Sequence, residues 1–204
     1  STGHIEAVQG RLHQGDIRDR PYVTKVLREG SFDAVMHFAA KSLVGESVSH
    51  PLRYYDVNVG GTASLLQAMQ DANVETMVFS STCAIYGDPE YLPLDENHPQ
   101  NPVSPYGASK KMVEEMLADC RANEHLRVTT LRYFNAAGCM PDGSLGESHK
   151  TETHLIPLAI AAALGKRPPL SLFGTDYETR DGTCIRDYIH VLDLADAHVR
   201  ALNQ

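Results

Sequence analysis

The stretch Ser104-Pro105-Tyr106-Gly107-Ala108-Ser109-Lys110 places a tyrosine and a lysine four residues apart, behind a proline suited to the first turn of a helix. At that spacing the two side chains share one helix face. A tyrosine titrates near ~10 and is a poor base at neutral pH. A neighbouring ammonium favours the phenolate and should pull the phenol down. The pair therefore has the makings of an acid/base unit. On its own, a Y-x-x-x-K pattern is more simply an exposed helix start with a solvated lysine. A second feature shifts that balance: Ser80-Ser81-Thr82 closes an apolar, β-branched run and supplies hydroxyls at a strand end.

The elements that must position these residues follow from periodicity. Residues 33–39 and 76–82 read as buried strands, and residues 128–134 as a third, rich in β-branched and aromatic types. Helical spacing covers about 51–72, and again from Pro105 to about Cys120, after a Pro-rich loop over 88–105. Strand, helix, strand, helix, strand implies βαβ units, hence an α/β fold with a doubly wound parallel sheet, Rossmann-like. Such sheets bind ligands at their carboxyl ends. The polar clusters Ala39-Ala40-Lys41-Ser42, Ser80-Ser81-Thr82 and Asn135-Ala136-Ala137-Gly138 fall there. From Thr153 the texture changes to a helix, a short strand at 170–173, a Gly- and Asp-rich loop, and a returning strand and helix. The division expected is a dinucleotide-binding domain over 1–150 and part of a smaller substrate-binding lobe over 151–204.

The net charge of -8 argues against non-specific nucleic-acid binding, which depends on neutralising phosphates. The longest apolar run, around Leu155 to Leu164, is too short to span a bilayer, and no signal peptide is visible. Cys83, Cys120, Cys139 and Cys184 form no C-x-x-C pair and read as reduced thiols of a cytoplasmic protein. Glu147, His149, Glu152 and His154 alternate in a way that suggests metal, but they lack a familiar zinc spacing and read as a solvated loop before a helix start. No metal is assigned. His37 reads as a satisfied core residue. Met112, Met116 and Leu117, with Leu52, Tyr55 and Val59, form apolar stripes whose plain reading is core packing.

A hydroxyl on one strand end and a Tyr/Lys helix after the next crossover resemble the extended branch of the short-chain dehydrogenase/reductase superfamily. The resemblance narrows with His37-Phe38-Ala39-Ala40, Tyr54-Tyr55-Asp56-Val57-Asn58-Val59, Ser80-Ser81-Thr82-Cys83-Ala84-Ile85-Tyr86-Gly87, Arg132-Tyr133-Phe134-Asn135-Ala136-Ala137-Gly138 and the run from Asp181 to Val191. In order, and over nearly the whole chain, these are similar to the UDP-glucose 4-epimerases. The resemblance implies a tightly held NAD, oxidation at sugar C4, a 4-keto intermediate that turns over, and reduction from its other face. It implies Tyr106 as base at the 4-hydroxyl, Lys110 as its partner, and Thr82 at the sugar oxygen. Asp16 and Ile17 would lie at the adenine side, with Phe38, Ala39 and Ala40 along pyrophosphate and ribose. Asn58 and Ser80 would support the cofactor, with Tyr133 near the nicotinamide. Phe134 and Asn135 would face the hexose-UDP, and His154, Leu155, Ser171, Phe173, Arg186 and Tyr188 would hold UDP. The family also implies a homodimer through the helices near 51–72 and 105–120.

The sequence departs from the family pattern in places. Ser42 stands where some members have Lys, and His154-Leu155 where some have Asn-Leu. No G-x-G-x-x-G occurs before Asp16, and Ser1-Thr2-Gly3-His4 resembles the segment just after the second strand. The N-terminal βαβ unit and the far C-terminal part therefore read as missing. These 204 residues alone are expected neither to hold NAD tightly nor to epimerise. A nucleotide-sugar 4,6-dehydratase is disfavoured because Cys83 and Ala84 stand where that family has Asp-Glu. A silent NAD-binding scaffold is disfavoured by the presence of both Tyr106 and Lys110. Another UDP-sugar, such as a UDP-N-acetylhexosamine or UDP-pentose, remains open.

Overall fold

The structure is a computed structural model that describes residues 11–123, 126–149 and 151–203. The opening Ser1-Thr2-Gly3-His4 lies outside them. The chain divides into two compact units, one of Arg11–Tyr133 with Asp196–Gln204, the other containing Phe134–Ala195.

In the first unit, three parallel strands pair in the order β1 (Val35–His37), β2 (Thr76–Ser80), β3 (Arg127–Leu131). The central strand β2 is buried on both faces, as its unbroken Met-Val-Phe run demands. Around the strands lie α1 (Arg20–Gly30), α2 (Val44–Ser49), α3 (Pro51–Tyr54), α4 (Gly61–Asp71) and α5 (Pro105–Asn123). Between α3 and α4 the helix widens into a π turn over Tyr55–Gly60. The core joins Leu27 of α1, Leu65 and Met69 of α4, Met77 and Phe79 of β2, and Val113 and Leu117 of α5. Burying side chains of this size contributes roughly 1.5–3 kcal/mol each.

The expected parallel α/β sheet is therefore present, with three refinements. Helix α1 is amphipathic, with Val23, Val26 and Leu27 on one side, and its boundary signals are local: Asp19 accepts from the Tyr22 N–H at its start, and Pro21 occupies the first turn. The third strand ends at Leu131 rather than 134, and the chain pairs afresh in the second unit. There β4 (Asn135–Ala137) lies parallel to β5 (Tyr188–His190). The strand expected at 170–173 does not form. The backbone there has no ladder partner among the described residues, and Phe173 is 95% exposed. Helices α6 (Leu155–Ala163) and α7 (Val191–Leu202) complete the described chain. No helix among the described residues is long and apolar enough to cross a membrane.

The apolar stripes separate by depth. Leu117 is 1% exposed, and Val59 and Met116 pack against the core, whereas Leu52 is 79% and Met112 45% exposed.

Two glycines shape the chain after β2. Gly87 has φ +70°, and a Cβ there would stand 1.9 Å from the Asn101 carbonyl oxygen. At Gly107 a Cβ would meet the Ala84 carbonyl oxygen at 2.4 Å, so only glycine lets the start of α5 close on that turn. Gly87→Ala should therefore destabilise the chain by at least the ~1–3 kcal/mol of a strained backbone position. Gly45→Ala, in α2 with nothing within 4 Å of the added carbon, should be neutral or slightly stabilising. Urea unfolding of both variants checks this, and equal midpoints would contradict it.

Candidate active site

Ladder-like hydrogen bonds continue past the end of β2, from the Ser81 N–H to the Leu131 carbonyl at 2.9 Å and from the Cys83 N–H to the Tyr133 carbonyl at 3.1 Å. They hold Thr82 extended, at φ -156° and ψ 150°, until the chain turns into a 3-10 turn over Cys83–Ile85. The Thr82 hydroxyl oxygen accepts from the Ala84 N–H at 3.2 Å. Across from this strand end, α5 begins. Ser104 caps it by accepting the Gly107 N–H at 3.1 Å. Tyr106 lies in its first turn and Lys110 in its second.

Lys110 is 3% exposed. Its ammonium donates to the Ser80 carbonyl at 2.7 Å and stands 4.7 Å from the centre of the Phe79 ring. Burial disfavours the charge and pulls the ammonium down to about 8, while the Glu114 carboxylate acts the other way. Tyr106 behaves differently from the sequence expectation. Burial pushes its phenol above the ordinary value, and the hydrogen bond with Thr82 is what draws it down. The lysine does not govern the phenol here, because its charge is turned onto the Ser80 carbonyl and the Phe79 ring. The Ser80 hydroxyl is bonded in turn to the Tyr133 hydroxyl.

A second set of contacts fixes α5 against the end of β1. Asn58, 2% exposed in the π turn, accepts from the Lys41 N–H at 2.8 Å and donates to the Lys41 carbonyl at 3.0 Å. It also donates to the Ser109 hydroxyl at 2.9 Å, and Ser109 donates to the Tyr106 carbonyl at 2.7 Å. One buried amide thus joins the loop after β1 to the backbone of the tyrosine. Beneath it, Thr62 donates to the Asn58 carbonyl at 2.6 Å and lies 2.8 Å from Nε2 of His37. Since the hydroxyl has one proton, His37 must donate from Nε2, and burial pulls its ring down to about 4. His37 is a satisfied core residue.

On the other side of α5, Glu114 accepts Arg132 Nη2 at 2.6 Å, its Nε at 3.1 Å, and the Ser81 hydroxyl. Arg132 also donates to the Tyr86 hydroxyl at 3.0 Å. Neither Ser109 nor Glu114 was singled out from sequence. The available signals were their positions three residues after Tyr106 and four after Lys110.

The structure brings Thr82, Tyr106, Lys110, Ser80, Tyr133 and Asn58 together. Phe38 and Ala39 are exposed just after β1 and Ala40 is half-buried, with the Phe38 ring 4.8 Å from that of His198. Asp16 is held by Arg18 at 2.5 Å, which lowers its carboxyl to about 2, and Arg18 reaches on to Asp56. Ile17 lies against Gly61. Lys41 engages Asn58 through its backbone, and its ammonium is 4.0 Å from Glu46.

In the second unit, Asn135 and Tyr188 are direct partners across β4 and β5, and Asn135 donates to the Asp187 carbonyl at 2.8 Å. Phe134 is exposed just before them. His154 and exposed Leu155 stand at the start of α6. Ser171, Phe173 and Arg186 are exposed, and no hydrogen bond or ion pair among the described residues joins them to that pair.

The sequence pattern of the NAD dependent epimerase/dehydratase family matches residues 1–204. The chain belongs to that family. Among the family's members, it is 57% identical over 203 residues to the UDP-glucose 4-epimerase of Rhizobium leguminosarum bv. trifolii, covering 99% of this chain and 62% of that protein. The crystal structure of UDP-glucose 4-epimerase from Brucella ovis in complex with NAD superposes with a TM-score of 0.93 at 51% identity, covering 97% of this chain and 61% of that one. The UDP-glucose 4-epimerase from Bifidobacterium longum in complex with NAD+ and UDP gives a TM-score of 0.90 at 39% identity, covering 98% and 62%. The chain thus spans about 62% of the length of its curated epimerase relative.

The buried Lys110 has a measurable consequence. Its folded value near 8 lies below the ordinary 10.5, so the folded state binds fewer protons between those limits. Stability should therefore rise with pH from about 8 toward 10.5, by up to ~3 kcal/mol. In Lys110→Met this rise should disappear. Parallel urea titrations at pH 7 and 10.5 measure the difference, and the same pH response in both proteins would refute it.

Proposed function

We propose that the protein carrying this chain is an isomerase that interconverts UDP-glucose and UDP-galactose with NAD as cofactor. One observation carries the reading: Thr82, Tyr106 and the buried Lys110 converge at the carboxyl end of a parallel strand, in a chain whose relatives bear that name. The residues suit the cofactor. The Lys110 ammonium has three donor protons and uses one on Ser80, which leaves donors for a ribose hydroxyl. Exposed Ala39 and half-buried Ala40 present no bulk against a pyrophosphate.

When bound, NAD supplies the reversible two-electron acceptor at sugar C4. Tyr106 would take the proton of the 4-hydroxyl as C4 is oxidised and give a proton back to the same oxygen when C4 is reduced from its other face. Thr82 holds the phenol and the sugar oxygen in line. Lys110 would lie beneath them, with its remaining donors free for the ribose of the cofactor. Asn58 and Ser109 fix the backbone of Tyr106. The cofactor contacts we assign are Asp16, Ile17, Phe38, Ala39, Ala40, Asn58, Ser80, Tyr106, Lys110 and Tyr133. To the UDP-sugar we assign Thr82, Phe134, Asn135, His154, Leu155, Ser171, Phe173, Arg186 and Tyr188. Functionally, residues 1–150 serve NAD and residues 151–204 the UDP-sugar. The compact units break at 133 instead, which leaves Phe134 and Asn135 in the second unit.

A homodimer through α3, the π turn, α4 and α5 is favoured by exposed Leu52 and Met112. A cytoplasmic location fits four cysteines of which none is joined in a disulfide.

In a protein of the relatives' full length carrying this chain, Tyr106→Phe should lower turnover ~10²–10⁴-fold while NAD stays bound. NMR of the UDP-sugar products and cofactor release by denaturation give the two readouts, and near-normal turnover would remove Tyr106 as base. Arg186→Ala should weaken UDP binding by about 1.5–3 kcal/mol, the worth of a charge-assisted hydrogen bond. Unchanged UDP affinity by calorimetry would exclude that contact.

A further inference from the structure

Outside the catalytic cluster, the loop before α6 gathers two imidazoles and two carboxylates. Their ligand atoms all lie within 4.8 Å of one another. His149 Nδ1 is 3.1 Å from Glu147 Oε1 and 3.4 Å from Glu152 Oε2. His154 Nδ1 is 3.4 Å from Glu152 Oε1 and in direct contact with Glu147 Oε1. We propose that Glu147, His149, Glu152 and His154 form a binding site for a divalent cation of the zinc type.

The geometry suits that ion. Donors at ~2.0–2.2 Å from a tetrahedral zinc lie ~3.3–3.6 Å apart along each edge. Three of the four contacts above fall at or close to that spacing, before any ion draws the donors into place.

Hydrogen bonding accounts for the cluster less well. Each ring has one Nδ1, so the pair offers at most two protons to four nitrogen–carboxylate contacts. The Glu147 and Glu152 side chains are 23% and 22% exposed, and Nδ1 of His149 lies within 3.4 Å of an oxygen of each. Two like charges held close together repel each other, and a cation between them would remove that cost. A zinc ion would accept a lone pair from all four side chains and balance both negative charges.

The ligands are also oriented from behind. Glu152 Oε1 accepts the backbone N–H of Thr153 and of His154, each at 2.8 Å, which fixes the carboxylate before any ion arrives. His154 is the N-cap residue of α6 but makes no side-chain cap to the helix, so its ring is turned to the cluster instead. The four ligands span only eight residues, Glu147 to His154, so the ion would act as a clasp tying this loop to the start of α6. His154 would bind the ion through Nδ1, which leaves Nε2 for the UDP contact assigned above, and with all four positions filled by protein the ion's role is structural. The spacing of the four residues is unfamiliar for zinc, and the folded loop brings together what that spacing does not reveal.

The test uses the intact chain, stripped with a chelator, dialysed, and titrated with Zn²⁺ alone by calorimetry and metal analysis. One zinc per chain is expected. His149→Ala and Glu147→Gln should each weaken binding by more than the ~10–100-fold typical of losing an outer-sphere partner. His50→Ala, an exposed histidine outside the cluster, should bind as the parent does. Co²⁺ in place of zinc should give the intense visible bands of four-coordinate cobalt. No retained zinc, equal affinity in His149→Ala, or the pale spectrum of six-coordinate cobalt would each overturn the site. Circular dichroism accompanies every variant, and if His149→Ala loses its helix signal, Glu147→Gln decides.

Discussion

A lysine ammonium held 3% exposed beneath the end of a parallel strand is the constraint on which the rest of the site depends. Leaving a charge there is costly, and the surroundings show how the cost is offset. The Ser80 carbonyl accepts one proton, the Phe79 ring offers its negative face, and Glu114 supplies an opposite charge at one remove. Each partner constrains a different element. Ser80 and Phe79 belong to β2, and Glu114 lies one turn further along α5. Moving Lys110 would break contacts with the strand that delivers Thr82 and with the helix that delivers Tyr106.

Glu114 extends the constraint outward. Its carboxylate receives Arg132 from the segment after β3 and the Ser81 hydroxyl from the segment after β2. Arg132 and Glu114 are only 20% and 10% exposed, so this pair is screened less than a surface ion pair. Removing one partner would leave the other partly buried and uncompensated, the expensive way to break such a pair. The Asn58–Ser109 chain acts on the opposite flank of α5. Between them the two networks fix the helix in rotation as well as position, and that rotation decides where the Tyr106 phenol points.

Much of this frame was legible in the sequence, and the illegible parts share a cause. The runs at β2 and β3 are apolar and β-branched, so their strand character shows without a partner. Pro105, Tyr106 and Lys110 announce a helix start with two groups on one face. At 170–173, Leu170 and Leu172 alternate as a strand should, yet no strand among the described residues pairs with them. Pairing is a tertiary event that a four-residue pattern cannot carry. The expectation that Lys110 lowers the Tyr106 phenol failed on the same ground. Sequence spacing put an ammonium near the phenol, but burial and the ammonium's turn onto β2 reversed the dominant influence. Helix α1 is short, so its apolar period, Val23, Val26 and Leu27, spans little more than one turn.

The π turn over Tyr55–Gly60 bears on how such a site can change over generations. Buried Tyr54, Asn58 and Thr62 follow one another at intervals of four. In a regular α-helix each interval of four overshoots a full turn by ~40°, so the three would spiral away from a common line. The wider turn absorbs that drift, letting Asn58 face Lys41 and Ser109 while Thr62 stays beneath it. What the lineage must preserve here is a residue count as much as a residue type. A single-residue deletion would tighten the turn and leave every side chain intact, yet swing Asn58 out of phase with its partners.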